Sequence, residues 1–263
     1  MSSQAKQASL WGQRPEDWAN IQEQTGNAGY EYALNILKLA EKDTLLDVGC
    51  GTGVFCQLAR ETGAKVTGID ATPELIERAK KRVPEIPFMT GEMEQLPFED
   101  DHFDVITGFN SFQYAENTKN ALTEAKRVLK PGGKLAAMIW GNREDCEAAS
   151  FLKAAGSLMP PPPPGAPGPF ALTENHLLES ILKEIGFEII DVNDITSIWD
   201  YPDKETALKG LISVGPAAVA IAYSGLDKVT EVVGASIDPC VKIDGRVIYH
   251  NKFRVVTALN KME

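Results

Sequence analysis

No stretch of about 18 consecutive apolar residues occurs in these 263 residues, so no segment reads as a membrane-spanning helix. The first ten residues, MSSQAKQASL, are polar and lack the apolar centre of a signal peptide, and a cytoplasmic protein is expected. Cysteine and histidine are scarce, at four and three, and no CxxC pair is present. That excludes zinc-type spacing and a disulfide framework, and the expectation is a reduced protein without a structural metal. No block of lysine or arginine stands out, and 26 basic against 37 acidic residues leave a net charge of −11. Such a chain is a poor ligand for a phosphate backbone or an anionic lipid surface, so neither nucleic acid nor membrane is expected as a partner. What remains is ordinary: 43% hydrophobic and 24% charged residues, with 22 glycines and 16 prolines, in a length that can bury a sizeable core.

Hydrophobic periodicity divides the chain. Residues 27–40 carry apolar side chains at helical spacing, with Asn27 as candidate cap. Then short β-type runs at 44–49, 65–70, 87–91, 103–109 and 134–140 alternate with helical patterns at 54–60, 73–83 and 118–129. Pro73 suits a first helical turn and Pro84 cannot lie inside a helix, so these two bound the second of the helices. Strands alternating with helices of this length make right-handed crossovers. The fold class is therefore α/β, a doubly wound, mostly parallel sheet.

Beyond residue 141 the pattern changes. A helical stretch at 145–158 is followed by Pro160 to Pro164, Pro167 and Pro169, too proline-rich for helix or sheet and read as a linker or lid hinge. A helix at 174–185, a strand at 187–195, helical patterns over 203–236 and a long β segment at 245–260, antiparallel to the previous strand, complete the chain. Three regions are expected: an N-terminal helical arm at 1–40, a binding core at 41–141, and a final part at 142–263 that carries the second half of a pocket and closes the same sheet.

Chemistry concentrates where the first strand ends. The run LLDVGCGTG at 45–53 turns from strand to helix, where glycine permits positive φ and close approach, and where a helix N-terminus presents unpaired N–H groups to a ligand. Asp70 ends the next strand, placed to accept both hydroxyls of a ribose bound at that turn. A dinucleotide fingerprint needs glycine at 54, where Val54 stands, which disfavours a nicotinamide cofactor.

In these motifs the sequence resembles the class I S-adenosylmethionine-dependent methyltransferases, over roughly residues 30–141. LLDVGCGTG resembles their first motif, VTGID at 66–70 the acidic end of the second strand, TGEMEQLPFEDDHFDVI at 90–106 the third motif, and RVLKPGGKL at 127–135 the approach to strand five. The branch it is most similar to acts on ubiquinone-type and other small metabolites. The resemblance implies a seven-stranded sheet with an antiparallel C-terminal hairpin and helical insertions forming an acceptor lid. It also implies S-adenosylmethionine as cofactor and S-adenosylhomocysteine as product. Asp47, Gly49, Gly51, Gly53, Asp70, Ala71, Leu75, Glu92, Met93 and Asn110 are the implied cofactor residues, with Glu94 an alternative reader of the adenine edge.

Trp11, Tyr30, Gln113, Tyr114 and Trp140 are the implied substrate residues, and Trp18, read as core, Gln24, Phe112, Asn142 and Arg143 lie beside them. Where many relatives carry histidine this chain has Gln113, which cannot take a proton, so no catalytic residue is assigned. Met159, Phe170, Leu211, Ile212 and Tyr223 are expected to wall a pocket for a small, partly hydrophobic acceptor, which is the expected partner. Cys50 reads as a small filler and His250 as a weak candidate for the acceptor side. Two alternatives stand beside methyl transfer: a protein of the same fold that binds the cofactor without methylating, as a scaffold or cyclase, and a nicotinamide oxidoreductase.

Overall fold

The computed structural model describes residues 3–163 and 166–261. Seven strands form one sheet in the order β3-β2-β1-β4-β5-β7-β6. They are β1 (Thr44–Val48), β2 (Lys65–Asp70), β3 (Phe88–Thr90), β4 (Phe103–Phe109), β5 (Leu129–Trp140), β6 (Phe187–Tyr201) and β7 (Val247–Asn260). The first five run parallel, and β7 lies antiparallel between β5 and β6.

Side chains alternate across this sheet with period two, as strand geometry requires. On β5, Ala136, Met138 and Trp140 join one core while Leu135, Ala137 and Ile139 join the other. The first core takes the helices Asn27–Leu37, Val54–Glu61 and Pro73–Arg82 through Ala33, Leu37, Phe55, Ala59, Ile76 and Ala79. The second takes Thr118–Val128 and Leu177–Glu184 through Ala121, Leu122, Ala125, Leu178 and Leu182. Helices on both faces explain why the central strands are almost continuously apolar.

Between β6 and β7 three helices, Lys204–Leu211, Gly215–Ser224 and Leu226–Ile237, pack with Ala149–Gly156 beyond the C-terminal end of the sheet. The N-terminal helix Ser3–Trp11 rests on the second of these, and a β-carbon on Gly215 would meet the Trp11 ring at 2.7 Å. Residues 15–26 follow as short irregular helical turns and carry the arm back across the glycine turn.

Several boundaries differ from the sequence reading, each for a local reason. The helix at 27 stops at Leu37 because Lys38 takes left-handed φ of 52°, and its N-cap is Gly26, with no cap from Asn27. Asn175 and His176 are also left-handed, which delays the helix expected from 174 until Leu177. Helix at 145–158 is confined to Ala149–Gly156. β5 starts at Leu129, opposite Phe103, and resumes with Lys134 opposite Val105, so residues 130–133 loop out of the ladder instead of preceding the strand. β6 continues to Tyr201, well past the expected 195. Of the proline run, 160–163 and 166–168 are neither helix nor strand, and Pro164 lies outside the described residues.

Candidate functional site

The order of the sheet reverses between β1 and β4, and a crevice at the C-terminal ends of the strands flanking such a point is where open α/β sheets bind ligands. Gly49, Gly51 and Gly53 follow β1 with φ of 77°, 53° and 79°. Every N–H of this turn is already used. Gly49 and Cys50 donate to Ile69 O at 2.8 and 3.0 Å, and Gly53 to Cys50 O at 2.9 Å. Gly51 N donates to Asp70 Oδ2 at 2.9 Å and Thr52 N to Glu23 Oε1 at 2.8 Å. Two carboxylates therefore occupy N–H groups of the turn itself, because β2 ends level with it and the arm crosses above it, and the helix Val54–Glu61 begins only after these bonds.

A cavity of about 1020 Å³, its open mouth included, runs from this turn toward the helices of the second half. At one end Gly49, Gly51, Asp70, Ala71, Leu75 and Met93 line it, all expected there. Asp70 Oδ1 also accepts from Thr72 N at 2.8 Å, which fixes the carboxylate with lone pairs to spare for ligand hydroxyls. Glu92 lines a small adjoining pocket together with Met93, and its Oε2 accepts from Gln4 N at 2.7 Å. Glu94 instead caps the loop before the helix at Thr118 by accepting from Glu116 N and Asn117 N, at 2.7 and 3.1 Å.

Asn110 lines the middle of the cavity with left-handed φ of 51°, a conformation asparagine tolerates, and its buried Oδ1 has no protein partner. Trp11, Tyr30, Tyr114 and Trp140 also face the cavity. Trp18, read as core, is half-buried and lines it too, edge-on to Trp11 at 5.0 Å between ring centres. Burial pushes the Tyr114 phenol up to about 12 and Tyr30 higher still, so both are neutral hydrogen-bonding walls at ordinary pH.

Other expected residues lie elsewhere. Asp47 is behind the turn, only 2% exposed, accepting from Thr107 Oγ1 at 2.7 Å and from the Cys56 thiol at 3.5 Å. Burial pushes its carboxyl up to about 7. Gly53 does not line the cavity either; a β-carbon there would meet Phe88 at 2.8 Å and Ala79 at 3.2 Å, so this glycine serves packing of helix on strand. Gln113 does not line the cavity, and Phe112 is fully buried under Gly108. Gln24 is exposed and bonds back to Ile21 O, Arg143 is exposed, and Asn142 reaches Asp145.

None of Met159, Phe170, Leu211, Ile212 and Tyr223 lines the cavity: Leu211 is core, Phe170 packs behind Trp140, and Tyr223 is 61% exposed. Phe151, Leu152, Trp199, Val214, Pro216 and Phe253 form that wall instead. None of the described residues in 157–170 lines the cavity. His250 bonds Glu147 at 3.1 Å on the surface, away from the cavity. Cys50 is buried and its thiol is pushed up to about 11 by burial, which keeps it an unreactive filler.

Sequence reasoning missed Glu23. This residue is 4% exposed, lines the cavity, and accepts from Thr52 N, Thr52 Oγ1 and, at 3.0 Å, Arg82 Nη1. Gln22 beside it accepts from Tyr201 OH at 2.8 Å, and Ser197 Oγ donates to Thr25 O at 2.6 Å, so the arm is tied to β6 as well as to the turn. No periodicity marks Glu23 in the polar run IQEQTGN, although a carboxylate so near the arm's tryptophans was a signal. Among the described residues the acidic groups lining the cavity are Glu23 and Asp70, and no lysine, arginine or histidine lines it. The cleft thus favours hydroxyls and positive charge at the glycine end and neutral, flat, apolar groups at the other.

The model of a family described as a methyltransferase domain matches residues 46–137. A demethylmenaquinone methyltransferase of Chlorobaculum tepidum is 41% identical over 90 residues, 34% of this chain and 37% of that protein. The O-methyltransferase cnsE of Penicillium expansum is 30% identical over 166 residues, 60% of this chain and 57% of its own length. The chain therefore spans between about a third and somewhat over half of the curated relatives it matches. The crystal structure of the (4+2)-cyclase SpnF superposes with a TM-score of 0.57 at 21% identity, covering 89% of this chain and 80% of the cyclase, a likeness of fold.

Proposed function

We propose that this chain, a class I S-adenosylmethionine-dependent methyltransferase in its fold and in the methyltransferase domain over residues 46–137, transfers the methyl group of S-adenosylmethionine to a small, partly hydrophobic metabolite. The observation that carries this reading is the composition of the cavity: glycine turn, two carboxylates and no cation at one end, and an aromatic wall at the other. A positively charged sulfur compound with a ribose diol suits the first end. The adenosyl group would be held by Asp70 at its hydroxyls and by Leu75 and Met93 at its base, with Ala71 beside it. When bound, the cofactor supplies an activated methyl group for in-line displacement.

The chain's own part is placement and dryness. Trp140, Phe151, Trp199 and Phe253 form a wall that orders a flat acceptor and excludes water, and such alignment is worth roughly 7–11 kcal/mol of barrier without a proton transfer. Residues 1–40 act as an arm over the core, and 142–263 supply most of that wall. The same turn argues against a nicotinamide oxidoreductase, since a pyrophosphate approaching it would meet the carboxylates of Asp70 and Glu23. Likeness to a cyclase keeps a non-methylating relative as second reading. Incubation with methyl-labelled S-adenosylmethionine and a metabolite extract decides between them. Methyl transfer labels a small product, and a scaffold or cyclase labels none.

A further inference from the structure

The arm does more than cover the turn. Two of its polar atoms converge on one point in the cavity. A β-carbon built on Gly51 would lie 2.9 Å from Glu23 Oε1 and 3.7 Å from Trp18 Nε1. Glu23 Oε2 is engaged by Thr52 Oγ1 and Arg82, whereas Oε1 accepts from Thr52 N alone, and a carboxylate oxygen can accept twice. Trp18 Nε1 is buried with no hydrogen-bond partner. A buried donor left unsatisfied is unfavourable unless a ligand completes it. One spare anionic acceptor and one orphaned donor over a glycine suit a group that carries a cation and an anion on one carbon.

We infer that Glu23 and Trp18 form a socket for the α-amino-acid end of the cofactor, Glu23 Oε1 accepting from its ammonium and Trp18 Nε1 donating to its carboxylate. The assignment rests on the cofactor reading above and adds the arm as the part that distinguishes the complete cofactor from its nucleoside fragment. Three other polar side chains near the turn are excluded by position or engagement. Asp47 faces away from the cavity, Asp70 is the ribose partner, and Gln7 is bonded to Tyr114 O and to Trp11.

Calorimetric titration of the full chain with S-adenosylhomocysteine and with 5′-methylthioadenosine tests the socket, because the second ligand keeps the nucleoside and thioether and lacks the amino acid. Wild-type protein is expected to prefer S-adenosylhomocysteine by at least about tenfold, as a charge-assisted hydrogen bond implies. Glu23→Gln, which keeps an acceptor for Thr52, and Trp18→Phe, which keeps the ring against Trp11, should each narrow that preference about tenfold and leave methylthioadenosine affinity within about twofold.

In an indole 15N spectrum, the Trp18 resonance should move with S-adenosylhomocysteine and stay in place with methylthioadenosine. Equal weakening of both ligands assigns these residues to holding the turn and overturns the socket, as does an unchanged preference. If wild-type protein binds neither ligand, the cofactor reading itself fails and takes the socket with it.

Discussion

Asp47 illustrates how a motif residue can be conspicuous in sequence and still stand behind the site. Its carboxyl is enclosed between Thr107 and Cys56, and burial raises it from an ordinary 3.8 to about 7. A carboxyl with a raised folded-state pKa binds its proton more tightly in the native than in the unfolded chain. Its contribution to stability is complete below about pH 4 and lost as pH rises through about 7, at up to about 1.4 kcal/mol per pH unit. Asp47→Asn keeps the oxygen that Thr107 needs, and should flatten the pH dependence of urea unfolding between pH 4 and 7. An unaltered slope would show that Asp47 is ionised throughout.

Asp70→Ala should abolish binding of S-adenosylhomocysteine in calorimetry while circular dichroism stays native. Gly51→Val should do the same and also destabilise by about 1–2 kcal/mol, since its φ is 53° and the new side chain meets Glu23; unchanged affinity in either variant contradicts the assignment. Asp70 was legible because it closes a β-branched strand next to a glycine turn. Glu23 was less so: the nearby tryptophans marked it, but its partners Thr52 and Arg82 come from a distant chain crossing.

At the scale of elements, the parallel strands and their helices were readable from period and proline placement, and β2 and β4 match their expected limits. Illegible features depend on single backbone torsions or on neighbours. Lys38, Asn175 and His176 end or delay helices by left-handed φ, and β6 gains its last six residues only because β7 pairs with it as far as Tyr201. The acceptor wall was misplaced for a related reason. Helical pattern in 203–236 identified which residues are apolar, and the packing of the three helices on one another, on Ala149–Gly156 and, for the first, on β6 decided which of them face inward.

The arm is the element whose attachment can be tested by itself. Its bonds to the core include Glu23 with Arg82 and Thr52, Gln22 with Tyr201, and Thr25 with Ser197. Arg82→Met removes the ion pair from outside the cavity, since Arg82 does not line it. Amide exchange in residues 15–26 should then accelerate several-fold while β1, β4 and β5 keep their protection. Equal exchange in both proteins would mean that the other ties suffice.

For the whole molecule, fold and site share one cause: the sheet reverses its winding between β1 and β4, and the ends of β1, β2 and β4 deliver the glycine turn, Asp70 and Asn110 to a single crevice. Ligand linkage makes this measurable. S-adenosylhomocysteine at 100 times its dissociation constant should stabilise the chain by about 2.7 kcal/mol, a rise in melting temperature of roughly 5–10 °C, and NADH should give none. A shift with NADH alone would reverse the functional reading.

The saturated hydrogen bonding of the turn at 49–53 has a thermodynamic corollary. With its main chain already immobilised by Ile69, Asp70 and Glu23, docking there surrenders little conformational freedom, and more of each new contact survives as affinity. Such rigidity also makes the crevice intolerant. Nucleosides whose sugar needs a different backbone path will be refused because the floor does not yield.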